Sequence, residues 1–312
     1  MFTKRVLIAL LAAPIFAMVA HACSIPVFRY ALERWELTPY EIVVFHKAPL
    51  EADAKALLGS LSMGPPSANV RVETYDLTKD VPKFYQKLFN KFGKDQPLPW
   101  VAVRMGDAEA TAPLAWSGPL KAEALRPLIS SPAREKLVDH LKRGETAVFM
   151  LLECGDRAKD DEARDLLAKE LARLEKGIQL PAQSDEGPQL RTGLPLKVVF
   201  SILALKRDDP AEHAFIQTIL STEENLDRVK GPIVLPVFGR GRLLCSLFGE
   251  DLTAKQIGTV TRFLCSECSC QVKELNPGVD LLIPADWREL LEKAGPPATP
   301  RPDTPEPRSR KK

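Results

Sequence analysis

Apolar residues fall in short blocks along this chain, and the spacing inside each block separates helices from strands. Phe28, Ala31, Leu32 and Trp35 share one face at helical spacing, with Arg29, Glu33 and Arg34 elsewhere, so a short helix precedes the first strand. Pro39 ends it, and Glu41 to Phe45 is β-branched and apolar enough for a buried strand. The pattern continues as a helix from Glu51 to Leu61, a strand from Val70 to Tyr75 and a helix from Val81 to Phe92. A hairpin opening at Pro99 and a helix starting near Leu120 complete the first series. A helix over Ser131 to Lys142, with Pro132 inside its start and Gly144 beyond its end, leads on.

A second series repeats the first. A strand from Ala147 to Leu152 and an amphipathic helix from Asp160 to Leu174 are followed by an exposed loop, rich in Pro, Gly and Gln, over Gly177 to Leu194. A strand from Leu196 to Leu203, a helix from Ala211 to Leu220 and a hairpin opening at Pro232 complete it. Pro99 to Gly106, a turn and Leu114 to Gly118 recur about 130 positions later as Pro232 to Gly239, Arg240-Gly241 and Leu243 to Gly249. Such a match implies a duplicated unit.

The order strand, helix, strand, helix, hairpin, helix resembles the thioredoxin-like arrangement. The residues that carry the resemblance are Pro99 and Pro232, each just before an apolar strand, and the helix starts at Gly118-Pro-Leu120 and Gly249 to Leu252. The resemblance implies an α/β fold of two tandem thioredoxin-like domains, with mixed sheets carrying helices on both faces. Residues 23–143 would form the first domain and 144–294 the second. It also implies cis peptide bonds at Pro99 and Pro232.

Composition adds limits. In 312 residues, 43 basic side chains against 41 acidic leave a net charge of +2, which gives no electrostatic footprint for nucleic acid. At the start, Lys4 and Arg5, the apolar run Val6 to Ala20 and the small residues around Ala20-His21-Ala22 read as a signal peptide over residues 1–22. The run is shorter than the ~20 residues that cross a bilayer. The protein is therefore expected outside the cytoplasm, periplasmic or held at the membrane surface as a lipoprotein through Cys23. Against lipidation stand Ala20 and His21 in place of a usual lipobox, and a helix-start pattern at Ser24 and Pro26 where a tether is expected. Residues 295–312, Pro-rich and then basic, bury almost nothing and are expected to be disordered.

Thioredoxin-like redox enzymes carry Cys-x-x-Cys where the first strand turns into the first helix, since a helix N-terminus favours a thiolate. Here the first such turn reads His46-Lys47-Ala48-Pro49, without sulfur, and the second Glu153-Cys154-Gly155-Asp156, with one cysteine. Cys154 acts alone as a peroxidatic or mixed-disulfide thiol, or is a half-buried cysteine beside two carboxylates that disfavour a thiolate. Cys265, Cys268 and Cys270 lie within six residues beyond the second series. They offer a structural disulfide, for example with Cys245, a redox pair with a resolving thiol, or a Cu(I) or Zn(II) site lacking a nearby histidine. After them, Asn276-Pro277-Gly278 is a turn, the run to Pro284 adds an edge strand or lies over the domain, and Trp287 is a core or docking anchor. The segments around Cys23 to Trp35 and Val272 to Trp287 are similar to stretches of exported bacterial proteins that bring no activity with them.

No nucleophile elbow or phosphate loop occurs, and Asp160-Asp161-Glu162 suits a first helical turn rather than acid–base work. These readings lead to an exported, non-enzymatic protein without a cofactor that binds or positions another envelope protein. The competing expectation is a thiol–disulfide oxidoreductase or soft-metal carrier using Cys265, Cys268 and Cys270, with Cys154.

Overall fold

The computed structural model describes residues 23–63, 68–184, 187–268 and 272–297. The described residues start with a short strand β1 (Cys23–Pro26) and helix α1 (Val27–Arg34). Next come β2 (Tyr40–His46), α2 (Ala52–Met63), β3 (Val70–Asp76), α3 (Lys83–Phe92), β4 (Trp100–Met105), β5 (Trp116–Pro119) and α4 (Ala122–Ile129). After α5 (Pro132–Leu141) follow β6 (Ala147–Glu153), α6 (Arg157–Gly177), β7 (Phe200–Lys206), α7 (His213–Leu220), β8 (Ile233–Phe238), β9 (Arg242–Leu243) and β10 (Leu247–Phe248). The last elements are α8 (Ala254–Cys265), β11 (Glu267–Cys268), β12 (Val279–Asp280) and α9 (Trp287–Lys293).

Two mixed sheets share one strand order. In the first, β2 lies between parallel β3, Tyr40 opposite Val70, and antiparallel β4, Phe45 opposite Trp100, with β5 beyond β4. In the second, β6 lies between parallel β7, Ala147 opposite Phe200, and antiparallel β8, Leu152 opposite Ile233. β9 and β12 extend that sheet past β8, and β10 also pairs with β8. Helices cover both faces of each sheet, which is why β2, β6 and β8 are apolar almost throughout instead of alternating.

The strand period of two then sorts side chains between the faces. Tyr40, Ile42 and Val44 pack with Leu58 and Leu61 of α2 and Leu125 and Leu128 of α4, whereas Val43 and Phe45 meet Leu88 of α3 and Trp100. In the second sheet, Phe149 and Leu151 face α6 and α8, and Val148 and Met150 face α5 and α7. Caps fix several of these helices in register: Ser131 Oγ accepts from Arg134 N, Asp156 from Lys159 N and Thr253 Oγ1 from Gln256 N.

Four features depart from the expected plan. Helix α1 packs into the second sheet's cores, beside Phe149, Leu167 and Leu264, and so crosses the expected boundary at 143/144. It is buried from Val27 to Glu33, and Arg240 caps its C-terminal end by donating to the Leu32 and Glu33 carbonyls at 2.9 and 3.2 Å. The loop after α6 is not wholly exposed. Thr192 is buried because Glu33 Oε1 accepts its amide and hydroxyl, while Arg29 donates to Glu33, Thr192 Oγ1 and the Leu194 carbonyl. The seventh strand begins at Phe200, later than the expected Leu196, where parallel pairing with Ala147 begins. The Gly231–Pro232 bond is trans, since Leu98–Pro99 is the cis peptide among the described residues. Arg207 holds the Val229 and Gly231 carbonyls ahead of Pro232, so the approach to β8 is set by that side chain, and trans is the lower-energy isomer.

The closing segment straps the sheets together. β12 pairs with β9, and Leu281 to Ala285 are buried between the halves. Tyr40 Oη donates to the Asp280 carbonyl, Asn69 Nδ2 donates to the Leu281 carbonyl, and Asn69 Oδ1 accepts from Ile283 N. Arg134, 0% exposed, donates to the Leu282 and Pro127 carbonyls and lies over the Phe215 ring. Burial pulls its guanidinium down to about 9, with Glu212 acting in the opposite direction.

Candidate functional site

The C-terminal end of β2 turns into α2 through His46 to Pro49, and His46 Nδ1 lies 2.9 Å from the Ala48 carbonyl across this turn. Beside the turn opens a cleft of about 960 Å³ whose wall includes Leu98 and Pro99. Its apolar lining comes from Ala48, Pro49, Leu50, Leu57, Leu98, Pro99 and Leu120, with Lys47, Glu51, Asp53 and Arg126 supplying charge. This combination suits a ligand with an apolar stem and polar ends. Among the described residues no thiol borders the cleft.

The matching corner of the second sheet is built differently. Asp160, on the first turn of α6, accepts the Cys154 and Gly155 amides at 2.8 and 2.9 Å, one on each carboxylate oxygen. Gly155 permits this because its φ of +89° lies in the left-handed region. The donors that would stabilise a thiolate are thereby committed to a fixed carboxylate. The surrounding cleft of about 640 Å³ is lined by charged residues that pair with one another: Arg164 with Glu153 and Asp161, Arg157 with Asp161. Pro232 is not part of its wall.

The other cysteines are dispersed. Cys154, Cys245 and Cys265 are free thiols, so the bridge expected at Cys245 is not formed. Cys245 instead packs against the apolar core beside α8, where burial, with Glu223 adding, pushes its thiol up to about 11. Cys265, the last residue of α8, is 3% exposed, and burial pushes its thiol up to about 12. Both are protonated at neutral pH and poor nucleophiles. Cys268 is 1% exposed in β11, opposite Cys23 of β1. The Cys23 side chain and all of Cys270 lie outside the described residues, as do the expected leader and tail. No group of three His, Cys, Asp or Glu within reach of one metal ion occurs among the described residues. No described helix is long and apolar enough to cross a membrane.

Sequence reasoning missed the buried polar clusters. Asp280 accepts from Arg242 Nη1, Lys273 Nζ and Thr38 N at 3.0, 2.8 and 2.8 Å. Burial alone would raise this carboxyl, yet Lys273, the Thr38 amide and Arg242 together hold it below the ordinary carboxylate value. The Arg29–Glu33 pair had a legible signal in its i,i+4 spacing, but nothing in the sequence marked it as buried. His140, Glu145 and Ser201 also meet, but Glu145 sits in the middle, accepting from both side chains, so the histidine does not reach the hydroxyl. Comparison of the chain with protein-family models, curated proteins and solved structures finds no match.

Proposed function

We propose that this chain is an exported, non-catalytic protein of two tandem thioredoxin-like units, which holds a segment of another cell-envelope protein in the cleft between the His46 turn and Pro99. The shared strand order of the two sheets supports the kinship. The observation that carries the binding role is the cleft itself: wide, apolar-floored, placed where a strand turns into a helix, and without sulfur among its described lining residues. At the second corner Asp160 occupies the amides a reactive thiolate would need, which argues against chemistry there too.

Disulfide exchange or soft-metal carriage at Cys265, Cys268 and Cys270 is the competing reading. The burial of Cys265 and Cys268 weighs against it.

A photo-activatable residue at Leu57, in the cleft, tests the role in cells, with the same residue at Asp208 beside the second corner as control. One discrete adduct at Leu57, absent at Asp208 and abolished by Ala122→Glu in a protein of unchanged melting temperature, is expected. Equal labelling at both positions removes the binding role. Turnover of a disulfide substrate by the purified protein, lost in Cys265→Ala, establishes the competing reading.

A further inference from the structure

We propose that the outer edge of β7 pairs with the same edge of a second copy of this chain, joining two second-unit sheets into one across a two-fold axis. Among the described residues β7 ends its sheet, with β6 on one side and no strand on the other. Which of its peptide groups face outward follows from Pro236. The Pro236 carbonyl accepts from Leu244 N on the far side of β8, so Leu235 and Val237 are the residues of β8 that bond to Met150 and Val148 of β6. Ala147, Phe149 and Leu151 are then left to bond with β7. The register turns the peptide groups of Ser201, Leu203 and Leu205 inward and those of Phe200, Ile202, Ala204 and Lys206 outward.

Two of these outward groups are already engaged: Phe200 N donates to Glu175 Oε1 at 2.6 Å, and the Lys206 carbonyl accepts from Asp209 N at 3.1 Å. The amides of Ile202, Ala204 and Lys206 and the carbonyls of Phe200, Ile202 and Ala204 have no protein partner among the described residues.

That set is complementary to itself. With an identical strand laid antiparallel and Leu203 opposite Leu203, Ile202 N meets the Ala204 carbonyl of the other copy, Ala204 N its Ile202 carbonyl and Lys206 N its Phe200 carbonyl. Every free donor finds a free acceptor, and the two engaged groups are the ones that would otherwise face each other. Sliding the register either way leaves a donor opposite a carbonyl already used or one beyond the strand. Charge favours the same register, since it sets the exposed Lys206 of one copy opposite Phe200 of the other, beside the exposed Glu175 carboxylate. The free edge of the first sheet is guarded by contrast: β3 carries Arg71, Glu73 and Asp76, charges that oppose edge pairing, whereas Phe200 to Leu205 carries none.

The molar mass of the purified full chain, followed by sedimentation over a range of concentrations, tests the pairing. A dimer is expected. Ala204→Pro removes one outward donor and no bond within the chain, and proline is tolerated on an open edge, so this variant should run as single copies with an unchanged circular dichroism spectrum. Lys206→Glu brings like charges together at both ends of the joint and should weaken the dimer about tenfold, and adding Glu175→Lys should restore it. These exposed side chains decide alone if the proline variant loses its fold. A single-copy mass at every concentration overturns the proposal, whatever strand from another protein the edge then takes. A dimer indifferent to both Ala204→Pro and Lys206→Glu overturns it as well, by placing the contact on another surface.

Discussion

Replacing Asp280 with Asn removes one charge and almost no volume from the cluster that ties the closing segment to both sheets. Arg242 and Lys273, whose side chains are 9% and 13% exposed, then lose their shared counter-charge where water screens little. Removing one partner of a buried ion pair costs about 3–5 kcal/mol, and because the Asn oxygen still accepts one of the three bonds, about 3 kcal/mol is expected here. With a urea slope of about 3 kcal/mol/M the unfolding midpoint should fall by about 1 M at pH 7. The pH dependence carries a second signature. The Asp280 carboxyl is held below its ordinary value by Lys273, the Thr38 amide and Arg242 against the effect of burial, so its contribution is complete above the unfolded value of about 4. It is lost as pH falls through the lower folded value. The gap between wild type and Asp280→Asn should therefore be full at pH 7 and shrink between about pH 4 and pH 2. A loss under about 1 kcal/mol at pH 7, or a gap that does not narrow in acid, would refute the assignment of this cluster as a stabilising clasp.

Two further substitutions probe the backbone and the second corner. Gly239 has φ +61°, and an added Cβ would lie 2.8 Å from Ala31 Cβ and 3.3 Å from the Leu32 amide; Gly239→Ala should cost about 3 kcal/mol, against about 1 kcal/mol for Gly249→Ala, where φ is +54° and no atom lies within 4 Å. Matched urea titrations compare the two, and equal losses would contradict the packing of α1 on that hairpin. Asp160→Ala releases the Cys154 and Gly155 amides, so iodoacetamide should label Cys154 severalfold faster, measured by mass spectrometry against Cys245 in the same molecule. An unchanged rate would mean that the carboxylate is not what restrains this thiol.

The strands and helices with an unbroken apolar period were readable from the chain because burial on both faces demands β-branched runs such as Ile42 to Phe45, and a single covered face demands the stripe Ala163, Leu167, Leu171, Leu174. Neighbour relations across the boundary were not. The pattern of α1 says that one side is apolar but not which core receives it; that choice is made by Thr192 and Arg240, more than 150 residues away, through hydrogen bonds to Glu33 and Leu32. The cleft beside His46 lay at a position the chain order already marked, whereas its walls at Leu120, in the turn before α4, and Arg126 of α4 are brought near only by the sheet. Burial of charge was the least legible property. Nothing in the chain pattern singles out Arg134 or Asp280; their burial depends on Leu282 of the closing segment and on Arg242 of β9.

The insertion of α1 into the second unit has a consequence for how the molecule is made. Apart from β1, the helix emerges from the ribosome ahead of every described strand, yet the surfaces that shelter it, α8 and the Arg240 hairpin, are translated some two hundred residues later. The intervening four-stranded unit can settle while its neighbour waits with an uncovered amphipathic segment. Loss of α8 or of the Arg240 hairpin therefore leaves this segment uncovered, and a holdase acting on this chain during its biogenesis has its most natural grip at Val27 to Leu32.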